Sequence, residues 1–191
     1  MSEKLTEEVK RSVALLREGK ILLYPTDTVW GIGCDATHAK AIEKIFQLKN
    51  RHEQKSMIVL LADKEKIADY VEDVPPIAYD LIENAASPIT IVYPKAKNLP
   101  KNLVASDGTI AIRVVKGDYC VEVIRELGKP LVSTSANISG EPTPLTFDQI
   151  PEVIKEKVDY VVEVHRSRIR SVRPSTVLKL EENGTFKVLR M

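Results

Sequence analysis

STVLKLEENGTFKVLR, residues 175–190, is the stretch on which the fold class turns. Two β-rich runs, 175–180 and 185–190, flank Asn183 and Gly184, a pair suited to reversing the chain between antiparallel strands. Upstream, the chain passes repeatedly from a short apolar run to a helical pattern and back, as β-α-β units do. The two signals together predict an α/β or α+β fold: one twisted, mixed sheet flanked by helices.

The other elements follow from periodicity. Val9, Val13 and Leu16 recur at helical spacing across 6–19, with Glu7 and Glu8 in the expected first turn and Gly19 as the stop. ILLY at 21–24 reads as a buried strand running into a loop at Pro25. A helix is expected over 38–48, with Ala39, Ile42, Ile45 and Phe46 inward, then a strand over 57–61 and helical patterns over 64–71 and 77–84. ITIVY from Ile89 and TIAIRV from Thr109 read as strands, separated by a long loop at 94–107. Val121, Ile124 and Leu127 suggest a helix ending at Gly128, and a strand starts at Leu131. A helix over 148–157 and a strand over 160–164 complete the expected elements.

Composition narrows the class. The 191 residues are 43% hydrophobic and 29% charged, a globular balance with enough chain for one substantial core, and no linker or repeat divides them. A single domain, 1–191, is expected. Lys and Arg number 28 against 27 Asp and Glu, a net charge of +1, which excludes a generically polybasic nucleic-acid binder but leaves room for a local basic groove. Neither a signal peptide nor a bilayer-length apolar run is evident, so a cytoplasmic protein with no membrane partner is expected. Cys34 and Cys120 lack metal-ligand spacing, so neither a metal site nor a disulfide framework is expected.

Three segments carry chemistry. YPTDTVWGIGCDA, from Tyr24, places Thr26, Asp27 and Thr28 directly after a buried strand, where polar groups converge on a ligand or else satisfy their own turn. Gly31, Gly33 and Ala36 match G-x-G-x-x-A, yet the polar insert before them argues against a dinucleotide fingerprint. FQLKNRHEQKSM carries Lys49, Arg51 and Lys55, which suit a polyphosphate clamp or a solvated helix end. KPLVSTSANISGEPT opens an apolar strand into Ser133, Thr134, Ser135, Asn137 and Ser139, small donors and acceptors suited to phosphate, ribose or carboxylate oxygens.

Taken in order, YPTDTVWG, Lys49-x-Arg51, TIAIRV and STSANISG resemble the YrdC/Sua5 family of threonylcarbamoyl-AMP synthases, in its short single-domain YrdC form. The resemblance runs from about Ile21 to Arg190 and implies a mixed sheet around a basic central cavity. It also implies a nucleotidyltransferase: threonine captures bicarbonate as a carbamate, which attacks the α-phosphate of ATP, with Mg²⁺ as cofactor, and releases pyrophosphate. The product passes to the proteins that build N6-threonylcarbamoyladenosine in ANN-decoding tRNAs. By motif position, Lys49 and Arg51 are expected as catalytic, and Thr28, Arg113, Ser133 and Ser175 as threonine contacts. Arg51, Lys55, Thr109, Ser135, Asn137, Thr143 and Arg190 are expected at ATP, and lids are expected at 94–107 or 139–146. Thr109 and Arg113, four apart, share one strand face.

Two departures stand out. His52 and the pair Ser56 and Met57 replace prolines and a leucine usual in the family, and Leu60 stands where many relatives have a histidine that contacts threonine. The stretch with Arg166, Arg168, Arg170 and Arg173 replaces a more glycine-rich segment and reads either as a tRNA or double-stranded RNA contact or as a solvated loop. A non-catalytic RNA-binding module is therefore the competing function. A hydrogenase-maturation carbamoyltransferase, which carries further domains, is a third.

Overall fold

The computed structural model describes residues 2–50, 57–167, 174–181 and 183–191. In chain order the elements are α1 (Glu3–Arg17), β1 (Leu22–Tyr24), β2 (Gly31–Gly33), α2 (Ala39–Leu48), β3 (Ile58–Leu61), α3 (Pro76–Asn84), β4 (Ile89–Tyr93) and β5 (Ile110–Val114). Then come α4 (Asp118–Leu127), β6 (Leu131–Ser135), α5 (Glu152–Lys157), β7 (Tyr160–Val161), β8 (Thr176–Leu180) and β9 (Phe186–Arg190), with 3-10 turns at Lys64–Asp69 and Phe147–Gln149.

The strands form one sheet in the order β7-β1-β2-β6-β3-β5-β4-β8-β9. Its pairing is mixed as expected: β1–β7, β3–β5 and β4–β8 run parallel, and the other neighbours antiparallel. At the C-terminal hairpin Gly184 takes the positive φ of 80°, and the Asn183 side chain accepts from the Thr185 amide at 3.0 Å.

Several boundaries moved for identifiable reasons. Helix α1 begins at Glu3 because the Ser2 hydroxyl caps the Leu5 amide, so Glu7 and Glu8 lie beyond the first turn. Glu8 turns inward, where it accepts from the Tyr160 hydroxyl at 2.8 Å and the Glu163 amide at 2.9 Å. In α2 the His38 ring caps Ala41, and Ala41 rather than Ala39 is buried. The strand expected over 160–164 shrinks to two residues, and Pro151 splits the helix expected over 148–157.

Strand β2 has no β-rich signal in sequence; its glycines are there for closeness. A Cβ on Gly33 would lie 1.8 Å from the Val132 carbonyl oxygen, and one on Gly31 would lie 2.7 Å from the Ser133 hydroxyl. Gly31 and Gly33 thus sit inside a strand, not in the strand-to-helix turn of a dinucleotide fold.

Helices α1 and α4 pack on each other, α4 meets β3, and α2 meets β2. Val9, Val13 and Leu16 are at most 2% exposed, each contributing about 1.5–3 kcal/mol of hydrophobic burial. Alternation then sorts β4 and β5: Ile91, Tyr93, Ile110 and Ile112 belong to the core, whereas Thr90, Val92, Ala111 and Arg113 line a cleft.

Candidate functional site

The β1–β2 loop and β2, β3, β4, β5, β6, β8 and β9 enclose a cleft of about 300 Å³, at the lower end of small-ligand sites. Of the residues expected from sequence, Thr28, Arg113, Ser133, Ser135, Thr143, Ser175 and Arg190 line it. They come from segments far apart in the chain, brought together by the strand order.

Arg113 anchors the site. It is 4% exposed, its Nη1 donates to the Thr28 hydroxyl at 3.1 Å, and its Nη2 lies 3.3 Å from Asp27 Oδ1. Its Nε–H has no hydrogen-bond partner among the described residues. Thr26 shows the turn chemistry expected of its loop: its hydroxyl donates to the Val29 carbonyl at 2.7 Å and accepts the Thr28 amide at 3.0 Å. Thr26 thus shapes the loop while Thr28 and Asp27 turn toward Arg113.

Arg190 stands opposite on the edge strand. Its Nη2 donates to the Ser175 carbonyl at 2.9 Å, and the Ser175 hydroxyl lies 2.7 Å from that of Thr90. Desolvation, and after it the charge of Arg113, push the Arg190 pKa below its ordinary value. The two guanidiniums therefore repel each other, and an anion between them relieves that repulsion. The β8–β9 register shifts here, with Val177 opposite Arg190 and Leu178 opposite Val188. This irregularity lets the consecutive residues Leu189 and Arg190 both line the cleft, which strict alternation forbids.

Three expected residues sit elsewhere. Lys49 is 1% exposed and does not line the cleft; its ammonium donates to the carbonyls of Ser135 and Asn137, each at 2.5 Å, and so pins the turn after β6. Asn137 also lies off the cleft, its amide nitrogen donating to the carbonyls of Ile138 at 3.0 Å and Glu141 at 2.7 Å. Thr109 shares Arg113's strand face but gives its hydroxyl to Asp107 at 2.6 Å, which holds the Asp107 carboxyl below the usual range. Arg51, Lys55, His52 and Ser56 lie outside the described residues. Leu60 is fully buried, in register with Arg113, and offers that guanidinium no polar partner.

Loop 94–107 is pinned: Leu103 is buried, Lys97 donates its amide to the Tyr70 carbonyl, and none of its residues lines the cleft. The 139–146 segment does reach the cleft, through Thr143. Arg166 donates to the carbonyls of Val161 and Val162 at 3.1 Å and covers the Phe147 ring at 4.8 Å. Arg168, Arg170 and Arg173 lie outside the described residues. Cys34 and Cys120 are both buried thiols, and burial raises the Cys34 pKa well above its ordinary value.

Sequence reasoning left Asp27 between a ligand contact and a turn-satisfying group and assigned no role to Thr90. The signal at Thr90 was legible: one hydroxyl interrupts the apolar ITIVY strand on alternate phase. Trp30, Met57, Val92, Val177 and Leu189 supply apolar wall, which no local pattern reveals.

The mixed sheet brings hydroxyls and two arginines together on one ligand-sized cleft of an α/β protein. The Sua5/YciO/YrdC family, described as "Telomere recombination", matches residues 14–191, and the chain belongs to it. The threonylcarbamoyl-AMP synthase of Pseudoalteromonas translucida is 35% identical over 190 residues, covering 98% of this chain and 100% of that protein. A putative threonylcarbamoyl-AMP synthase of Methanocaldococcus jannaschii is also 35% identical, over 95% of this chain and 86% of its own length. Among solved structures, P. abyssi Sua5 complexed with L-threonine superposes with a TM-score of 0.85 at 29% identity over 95% of this chain. This chain spans about half (53%) of the P. abyssi protein.

Proposed function

We propose that this chain is an L-threonylcarbamoyladenylate synthase, a nucleotidyltransferase that forms threonylcarbamoyl-AMP and pyrophosphate from L-threonine, bicarbonate and ATP. The observation that carries this reading is the pairing of Arg113 and Arg190 across a hydroxyl-lined cleft, in a chain 35% identical over its length to a threonylcarbamoyl-AMP synthase. Two mutually repelling cations favour a ligand that brings several negative charges, and a carbamate beside a triphosphate is such a ligand.

In the reaction, a carbamate oxygen attacks the α-phosphorus of ATP and the bond to pyrophosphate breaks. The protein supplies no nucleophile; it positions and stabilises charge. Arg113, with Thr28, Ser133 and Ser175, suits the threonyl carboxylate and hydroxyl. Ser135, Thr143 and Arg190 suit the nucleotide, and Arg51 and Lys55 are assigned to it by motif. Lys49 and Asn137 act through the turn they hold. Among the described residues no group of three His, Cys, Asp or Glu could cage a metal. Mg²⁺ would enter with ATP and offset the charge of its phosphates, while Arg113 and Arg190 act on the same anionic ligand.

We assign the whole chain to one catalytic domain acting in the cytoplasm and delivering its product to the proteins that modify tRNA. Among the described residues no helix is long and apolar enough to cross a membrane.

Incubation with ATP, Mg²⁺, threonine and labelled bicarbonate tests the proposal. Label is expected in threonylcarbamoyl-AMP, with pyrophosphate release requiring both threonine and bicarbonate. Absence of a bicarbonate-dependent product where a control synthase works overturns the assignment.

A further inference from the structure

We propose that Asp27 is a positioning residue for the amino-acid substrate, acting entirely through Arg113; this rests on the synthase reading above. Asp27 sits in the β1–β2 loop, its side chain 9% exposed, with Oδ1 3.3 Å from Arg113 Nη2 and Oδ2 accepting the Lys116 amide at 3.3 Å. The carboxylate is thereby tied to β5 and to the chain just past its end. It belongs to none of the cleft-lining positions, so it meets the ligand only through the guanidinium.

The physical case is one of direction and charge. A guanidinium is a rigid planar fork of five donors, so fixing one edge fixes the rest. Thr28 accepts from Nη1 and Asp27 faces Nη2, which leaves the remaining N–H groups for a ligand; the buried Nε–H has no partner among the described residues. Asp27 also offsets part of the charge of Arg113.

A simpler role is also available to Asp27, that of a tether joining the loop to β5, and the test separates the two. Steady-state pyrophosphate release, calorimetric binding of L-threonine and thermal melting are measured for the wild type, Asp27→Asn, Asp27→Glu, Arg113→Lys and the Asp27→Asn/Arg113→Lys double variant. For Asp27→Asn we expect threonine KM and Kd to rise about tenfold, ATP KM to stay within about twofold, and melting to shift little. Asp27→Glu, which keeps the charge, is expected to recover part of the loss. The double variant is expected to bind threonine no worse than Arg113→Lys alone, because the two residues act as one unit.

Unchanged or tighter threonine binding in Asp27→Asn overturns the proposal, as do equal rises in both KM values or additive losses in the double variant. If Asp27→Asn does not fold, Asp27→Glu decides: partly weakened threonine binding supports the role and unchanged binding overturns it. A wild type that binds threonine but makes no product sinks the synthase reading while leaving the Asp27–Arg113 coupling measurable by calorimetry. A wild type that neither binds threonine nor turns over removes both.

Discussion

Lys49 and Arg113 are equally hidden, at 1% and 4% exposure, yet they are wired in opposite ways. The Lys49 ammonium faces inward to the carbonyls of Ser135 and Asn137 and holds a turn. Arg113 faces the cleft, tied on one edge to Thr28 and Asp27, with Nε–H unpartnered among the described residues. Burial alone does not tell a structural cation from a functional one; what tells them apart is whether the fold has consumed the donors. An ammonium can point its three hydrogens at carbonyls around it, whereas a planar fork fixed on one edge keeps the others directed outward.

Substitutions at these positions sharpen or break that contrast. The largest expected effect on chemistry is from Arg113→Ala, which should lower product formation at least about 100-fold by removing preorganised charge from the reacting centre. Its melting temperature should fall less than that of Lys49→Met, because water from the cleft can reach the space left behind. Product assays beside thermal unfolding check this, and retained activity removes Arg113 from the site.

Lys49→Met should act mainly on stability. It keeps the volume but strands two carbonyls that accept from a charged donor, at a cost of about 2–4 kcal/mol in chemical denaturation. Activity should fall in step with the disordering of the turn after β6. A variant of wild-type stability that is nonetheless inactive shows that Lys49 touches substrate directly, and the contrast fails.

The smallest effect is expected at Thr109→Val. Because that hydroxyl serves Asp107, ATP KM should not change and stability should drop by less than about 1 kcal/mol. The Asp107 pKa is lowered in the fold, chiefly by this hydrogen bond. Its contribution to stability is therefore present above the pKa of an unfolded aspartate and lost as pH falls through the lower folded value. Unfolding of the valine variant should be less pH-dependent in that acidic window. A raised ATP KM instead returns Thr109 to the nucleotide site.

Much of the fold was legible because it is local. Helix α4 ends where Gly128 takes a left-handed φ of 72°, and the mixed sheet follows from β-α-β passages plus the terminal hairpin. Arg113 was placed at the ligand by its motif position, and alternation gave only the strand face that it shares with Thr109. Strand β2 was not legible, since GIG has no strand propensity and becomes a strand only through its pairing with β1 and β6. Likewise Ala39 and Ala41 are chemically identical, and only the docking of α2 decides which is buried.

The same division holds at the site. Residue types and their order establish by themselves that this chain concentrates hydroxyls and cations in a few loops and strand ends, and which family it resembles. Tertiary structure alone decided which of those groups remain available to a ligand. Thr109 and Lys49 look as suitable in sequence as Ser175 and Arg113, but Asp107 and two backbone carbonyls claim them. Composition fixes how many donors a protein owns; where they are used is a competition between protein and ligand, settled only when distant segments meet.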